Sequence, residues 1–478
     1  MAEPEQDRPS VQDSLQQIVG LLRRHQLVKG LVQRQAMPRH ALVESIVQKQ
    51  NLAELQQKLD QLHPADVAYV LEALPLEDRL SVWDLVRADR DGDILLEVSD
   101  AVRETLIAHM ETKELVAATG QLDTDEIADL APDLPREVMQ DVFRSLSLEE
   151  RDQLRSAMSY PEDTVGALMD FDMITVRDDI TVEVVLRYLR RLDEMPDHTD
   201  QLFVVDRAQY LRGLLSVSRL LVTDLDAPVI SIMTAETVKL GPDEKAQDAA
   251  LAFERYDLVS APVVDGAGRL IGRVTVNAVV DFIREETDSE KLSAGGLREE
   301  EDLFASVWSS VKNRWAWLAI NLVTAFIASR VIGIFEGSIE KIVALAALMP
   351  IIAGIGGNSG NQTITMIVRA QALGQIKMSS AKKLFAKEIG VSFINGLIWG
   401  GVVGLFAFFI YHNWQLGLVM TSAMVLNLLL AAVMGVTVPL LMQKLGRDPA
   451  VGSSVMITAI TDSGGFFIFL GLATLFLV

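Results

Sequence analysis

The chain has 478 residues, no cysteine and a formal net charge of −22, and half of its residues are apolar. The missing cysteines exclude a disulfide framework and thiolate metal sites, and so acidic a balance repels nucleic acid and attracts cations. The charge is unevenly placed: residues 1–310 hold 60 of the 65 acids and 32 of the 43 Lys and Arg, so residues 311–478 are left at +6.

Met1 to Ser10 is polar with no apolar core, so no cleavable secretory signal is expected there. Residues 11–157 read as all-helical, with apolar residues at three- and four-residue spacing such as Val67, Val70, Leu71 and Leu74. Two pieces resemble each other: Leu62 to Ala68 with Leu74-Pro75, and Leu122 to Ala128 with Leu134-Pro135. Each reads as a cap, a short helix, a Leu-Pro break and the next helix, the pattern of a stacked helical repeat.

The pattern changes at Tyr160-Pro161-Glu162-Asp163-Thr164-Val165-Gly166-Ala167-Leu168-Met169. Two similar units of about sixty residues follow, which marks an internal duplication. The first carries Met173-Ile174-Thr175-Val176, then Val204-Val205-Asp206 and Leu211-Arg212-Gly213. The second carries Met233-Thr234, then Val263-Val264-Asp265 and Leu270-Ile271-Gly272. This tandem resembles a pair of CBS domains, α/β modules that sense ligands.

Residues 281–314 read as a connecting helix with a break at Gly295-Gly296. Asp281, Glu285, Glu286, Asp288 and Glu290 crowd its start at spacings that share helix faces. Crowded carboxylates repel one another unless a cation sits among them, so the cluster is either a solvated face or a divalent-cation site.

Five apolar runs follow, at 315–335, 342–366, 389–411, 416–442 and 450–477. Each is long enough to cross a hydrocarbon core of about 30 Å. Lys312, Arg314, Arg369, Lys377, Lys382, Lys383, Lys387, Lys444 and Arg447 fall on alternate connections. The positive-inside rule then places residues 1–314 in the cytoplasm and Val478 outside. The histidines (His25, His40, His63, His109, His198, His412) lie outside these runs. A metal within them would bind oxygen, which suits Mg²⁺, Ca²⁺ or Mn²⁺.

The second run ends in Gly354-Ile355-Gly356-Gly357-Asn358-Ser359-Gly360-Asn361-Gln362-Thr363, behind Pro350. Small residues permit close helix contact, and the amides need partners in lipid. The last run opens at Asp448-Pro449, a helix-start signature. Asp462 follows fourteen residues later, about 21 Å along a helix at about 1.5 Å per residue. It reads as the one carboxylate within the spans. A charge at that depth is costly and normally faces a partner or a water path.

The Tyr160–Met169 motif, the CBS-like pair, Gly356 to Gln362, Asp448-Pro449-Ala450 and Thr461-Asp462 occur in this order. Together they resemble the MgtE family of magnesium channels over essentially the whole chain. The expected fold is multi-domain. It comprises an all-α superhelical N domain (1–157), α/β CBS domains (158–225 and 226–287), a long connecting plug helix (288–314) and an all-α five-span transmembrane domain (315–478). The resemblance implies a homodimer in the cytoplasmic membrane that passes hydrated Mg²⁺ at its axis. Asp462 would be the pore carboxylate, with Thr458, Gly356, Gly357, Asn358 and Asn361 lining the pore beside it. Mg²⁺ sheds water reluctantly, so recognition through its waters is reasonable chemistry.

The resemblance also implies that cytosolic Mg²⁺, bridging acidic faces, holds the pore shut, with Asp281, Glu285, Asp288 and Asp448 as regulatory ligands. The chain departs from the family at Thr275-Val276-Asn277-Ala278, where acids are usual. ATP is a known kind of CBS ligand, and no residue here demands it. No phosphate-cradling loop or catalytic triad indicates an enzyme. The rival readings are a channel for another hard divalent such as Mn²⁺ or Co²⁺, and a CBS-type membrane sensor without ion flux.

Overall fold

The computed structural model describes residues 11–32, 52–192, 194–297, 302–372, 381–445 and 452–478. The chain divides into two compact units, Met1–Glu286 with Asp302–Ala305, and Thr287–Glu301 with Ser306–Val478.

The first unit opens with short helices: α1 (Val11–Val32), α2 (52–61), α3 (Pro64–Glu72), α4 (Leu76–Trp83), α5 (Asp91–Glu97), α6 (Asp100–His109), α7 (Thr112–Thr119), α8 (Thr124–Leu130), α9 (Arg136–Ser145) and α10 (Leu148–Ala157). The caps explain their brevity. His63 accepts from the Ala65 amide ahead of Pro64, and Pro75 and Pro135 stand at the N-caps of α4 and α9. Capping boxes start α7, α8 and α10 at Glu111, Asp123 and Ser147. Val67, Leu71, Ile94, Leu106, Ile127, Leu130 and Leu154 form the shared core. The two Leu-Pro pieces therefore do form equivalent helix pairs, α3–α4 and α8–α9.

Two arginines repeat a further device. Arg79 donates to the carbonyls of Leu71 and Leu74, and Arg103 to those of Leu95 and Val98. Each closes the carbonyl end of the preceding helical turn, where positive charge is favoured. Each also binds an acid. Arg103 takes Asp133 at 3.3 Å. Arg79, wholly buried, takes both carboxylate oxygens of Asp302 at 2.6 and 3.0 Å.

The duplicated modules come next. The first has β1 (Thr175–Arg177), α11 (Val182–Leu189), β2 (Gln201–Val205), β3 (Leu211–Ser216), α12 (Val217–Val222) and α13 (Val229–Ile232). The second has α14 (Ala246–Tyr256), β4 (Ser260–Val264), β5 (Leu270–Thr275) and α15 (Val276–Gly295). β2 pairs with β1 in parallel and with β3 antiparallel, and β4 pairs antiparallel with β5. A single parallel bridge, Leu240 to Val263, stands where β1 stands in the first copy. Register shifts at Val204/Val205 and Val263/Val264 repeat as well. The recurrent Leu-x-Gly has a steric cause. A Cβ at Gly213 would lie 2.6 Å from the Thr234 carbonyl, and one at Gly272 would lie 2.3 Å from the Met169 side chain. Each copy's hairpin is crossed by the other's opening segment, through reciprocal backbone bonds between Leu214 and Thr234 and between Arg273 and Asp170.

In the segment expected as a connecting helix over 281–314, the break expected at Gly295-Gly296 is present, and the helix before it begins earlier, at Val276. α15 starts directly after β5 and stops at Gly295. Gly296 has φ +82°, and a Cβ there would collide with Trp317 at 2.2 Å. The next helix starts only at Val307, capped by the Ser306 hydroxyl. Residues 298–301, which carry part of the second acidic run, lie outside the described residues.

The second unit contains α16 (Val307–Ile334), α17 (Glu336–Lys341), α18 (Ala344–Ala372), α19 (Ala381–Tyr411), α20 (Trp414–Lys444) and α21 (Ser453–Leu477). α16, α19, α20 and α21 are long and apolar enough to cross a membrane. α18 has the length, but Asn358, Ser359, Asn361 and Gln362 dilute its apolar run. α20 is central, burying Met420, Met424, Leu428 and Ala431. Against it lies a stripe on α19 four residues apart, Gly396, Gly400 and Gly404. Cβ atoms there would strike Val425, Thr421 and Gly417 at 2.2–3.0 Å, so the two backbones meet closely. The only buried side chain of α16 is Ala328.

Candidate functional site

α18 and α21 run antiparallel in close contact. A Cβ on Gly360 would lie 2.4 Å from Ile457, and one on Gly357 3.7 Å from the Thr461 hydroxyl. This register brings Asn358 and Asn361 to the level of the Thr458–Asp462 turn. Thr461 and Gly465 form the buried face of α21, while Thr458 and Asp462, one turn apart, share a more open stripe. Thr458 and Thr461 satisfy their hydroxyls on the helix itself, through Ser454 and Ile457 carbonyls at 2.8 Å each. Among the described residues Asp462 has no hydrogen bond and no ion pair, and Arg330 does not reach it. Asn361 Oδ1 and Ser463 Oγ are buried without a partner. Gly356 and Gly357 are buried and Asn358 is exposed.

Two expectations about this region change. α21 begins at Ser453, after Gly452 at φ +80°, and Asp448 lies outside the described residues. Asp462 is therefore nine residues into the helix, about 14 Å at about 1.5 Å per residue, slightly before its middle. It is also not the sole carboxylate in the long helices. The third apolar run was expected over 389–411, but α19 begins at Ala381 and takes in Glu388. Glu388 is buried, accepts from the Thr363 hydroxyl at 3.3 Å and lies 3.8 Å from Lys387.

Asn427 of α20 is a residue that the sequence reading passed over. It is fully buried, and its Nδ2 donates to the Ile352 carbonyl at 2.9 Å. Cβ atoms on Gly356 and Gly465 would lie 2.2 and 2.7 Å from that same Nδ2. A lone amide inside so apolar a helix was the available signal.

In the first unit, acids gather around α8. Asp125 is pushed up to about 8, by burial first and then by the neighbouring charge of Asp170. Asp129 rises to about 7, through burial and then Glu285, although an open face to water moderates the cost of its charge. Asp123, Glu126, Asp170, Asp172, Asp281 and Glu285 are also raised, burial leading in each case. Of the expected regulatory residues, Asp281 and Glu285 join this group through Asp129, whereas Asp288 pairs with Lys291 at 2.7 Å. Asn277, where an acid was expected, lies 2.7 Å from His198 Nε2. Asp125, Asp129 and Asp170 were missed because tertiary packing, not spacing, brings them together. Among the described residues no group of three acids or histidines is arranged to hold a metal.

These raised carboxylates have a sign that can be tested. The folded protein holds protons that the unfolded chain, with Asp near 3.8, has released. The cost of their charge is present at high pH and relieved as pH falls through about 8 and 7. In full-length protein without divalent ions, hydrogen exchange of α8 is expected to speed up, beyond the intrinsic chemical rate, from about pH 6 to about pH 8.5. Equal protection at both would contradict the acidic packing.

Residues 349–472 match the family model described as divalent cation transporter, MgtE. Residues 62–163 match the MgtE intracellular N domain, and 165–225 and 229–285 match CBS domains. The magnesium transporter MgtE of Thermus thermophilus is 30% identical over 429 residues, covering 88% of this chain and 95% of the relative. The protein of the same name from Bacillus subtilis is 25% identical over 428 residues, covering 89% and 94%. A solved structure of the cytosolic domain of the Mg²⁺ channel MgtE in complex with ATP is 29% identical. It covers 50% of this chain and 98% of that one, at a TM-score of 0.46.

Proposed function

Since the chain belongs to the MgtE family of divalent cation transporters, we propose that it is a Mg²⁺ channel whose pore carboxylate is Asp462. The observation that carries this is the state of that side chain. It sits near the middle of a membrane-length helix with no partner among the described residues, beside a Gly-Asn segment in which Asn361 Oδ1 is also buried and unpaired. A carboxylate so placed needs a counter-charge from outside the chain. With oxygen donors alone around it, a hard cation that keeps its water fits best.

In this reading α18 is the fifth span, its polar run facing the ion path. Two chains meet so that their Asp462 residues flank one axis. The N-terminus is cytoplasmic and the C-terminus outside, as the basic connections favour. The crowded acids of α8, Asp170, Asp281 and Glu285 are the cytosolic sensor. A divalent ion among them relieves the same repulsion that protons relieve, and holds the pore shut. Asp448 and Asp288 are kept as further candidate ligands.

Purified protein in liposomes is expected to pass Mg²⁺ faster than Ca²⁺, Mn²⁺ or Co²⁺ at one concentration, and more slowly once the side bearing the N domain holds millimolar Mg²⁺. Faster Mn²⁺ or Co²⁺ flux would reassign the substrate. No flux of any divalent ion would favour the sensor reading.

A further inference from the structure

Asn427 is costly to keep. Its Oδ1 is buried without a partner, in a helix whose other contacts here are apolar. An apolar side chain small enough for this space would leave no orphaned acceptor, so stability alone does not account for the amide.

Its surroundings suggest a purpose. One flat group lies between two bare backbones, Gly356 on α18 and Gly465 on α21. It also donates to the Ile352 carbonyl, the acceptor one helical turn before Gly356. Gly356 opens the Gly-Gly-Asn segment, and Gly465 lies one turn past Asp462. A branched side chain would push both helices outward. A planar amide, held by its hydrogen bond, sets how near they come.

Building on the transport reading, we propose that Asn427 is a positioning residue for conduction. It fixes the distance between the Gly356–Asn358 segment and the Asp462 helix, and so the width offered to a hydrated cation. It does not touch the ion. Its effect is on selection among cations whose hydrated sizes differ, with Mg²⁺ and Ca²⁺ as the informative pair.

The test is a cycle of four full-length proteins in liposomes: wild type, Gly356→Ala, Asn427→Ala and the double variant. Gly356→Ala drives a methyl into the amide and is expected to lower Mg²⁺ flux by more than about tenfold. In the Asn427→Ala background the obstacle is gone, so the double variant should come within about threefold of Asn427→Ala alone. Asn427→Ala itself is expected to change the Mg²⁺ to Ca²⁺ flux ratio by at least about threefold, which a loss of folded protein would not do because both ions would fall together.

Additive losses in the cycle, or an unchanged flux ratio in Asn427→Ala, would overturn the inference. Wild-type vesicles without flux would overturn the transport reading instead. The fit of Asn427 would then be judged from the melting temperatures of the same four proteins, where additivity would again refute it.

Discussion

Asp462→Ala is expected to reduce Mg²⁺ flux to that of protein-free vesicles and to abolish growth rescue of a strain that cannot take up Mg²⁺, while the protein still folds and inserts. Coulomb's law sets the size. A single negative charge about 5 Å from a dication contributes about 1.7 kcal/mol in bulk water and about 7 kcal/mol at an effective dielectric of about 20. Even the lower figure is more than tenfold in occupancy. Asp462 forms no hydrogen bond or ion pair within the described chain, so its removal breaks no internal bond. Asp462→Asn separates charge from shape: it should fail like alanine if the charge matters and behave like wild type if only volume does. Unimpaired rescue by either variant would remove Asp462 from the ion path.

The second large effect concerns the buried pair of Arg79 and Asp302. Asp302→Ala leaves a guanidinium with no exposure and no counter-charge. Breaking a buried pair from one side costs about 3–5 kcal/mol, a large share of the roughly 5–15 kcal/mol that holds a domain folded. At about 2–4 °C per kcal/mol, the melting of the first unit should fall by roughly 6–20 °C. Arg79→Leu with Asp302→Leu removes both charges and should lose less than Asp302→Ala alone, with some loss remaining because Arg79 also serves the Leu71 and Leu74 carbonyls. Burial pushes the Asp302 carboxyl up, but its hydrogen bonds from Arg79 and the Phe304 amide prevail and hold it below the usual range. Its contribution is thus present above about pH 4 and fades as pH falls through the lowered value. A melting temperature unchanged in Asp302→Ala would mean that Arg79 finds another partner.

What the amino-acid order revealed was local. The Leu74-Pro75 and Leu134-Pro135 breaks, the Val-Val-Asp strand ends and the Leu-x-Gly hairpins are each set by neighbours in the chain, and each appears in the fold. Asp462 stood out because one charge in an apolar run needs no tertiary knowledge to notice. Glu388 was lost because a charged pair looks like the end of a span, whereas the helix runs through it and buries the carboxylate against Thr363. Asn427 was lost because one amide barely alters the apolarity of its run, and its meaning lies in two glycines 71 and 38 positions away. Asp125, Asp129 and Asp170 were illegible for the same reason. Their raised protonation comes from packing α8 against segments more than forty residues distant.

The pairing of Arg79 with Asp302 also has a mechanical side. Asp302 stands four residues before Ser306, which caps the first membrane-length helix. While the pair is intact, the 223 positions that separate Arg79 from Asp302 form one closed loop, clasped at its base by two charge-assisted hydrogen bonds. The helices from α5 to α10 and both CBS modules lie inside that loop, so losing the pair unfastens all of them at a single point.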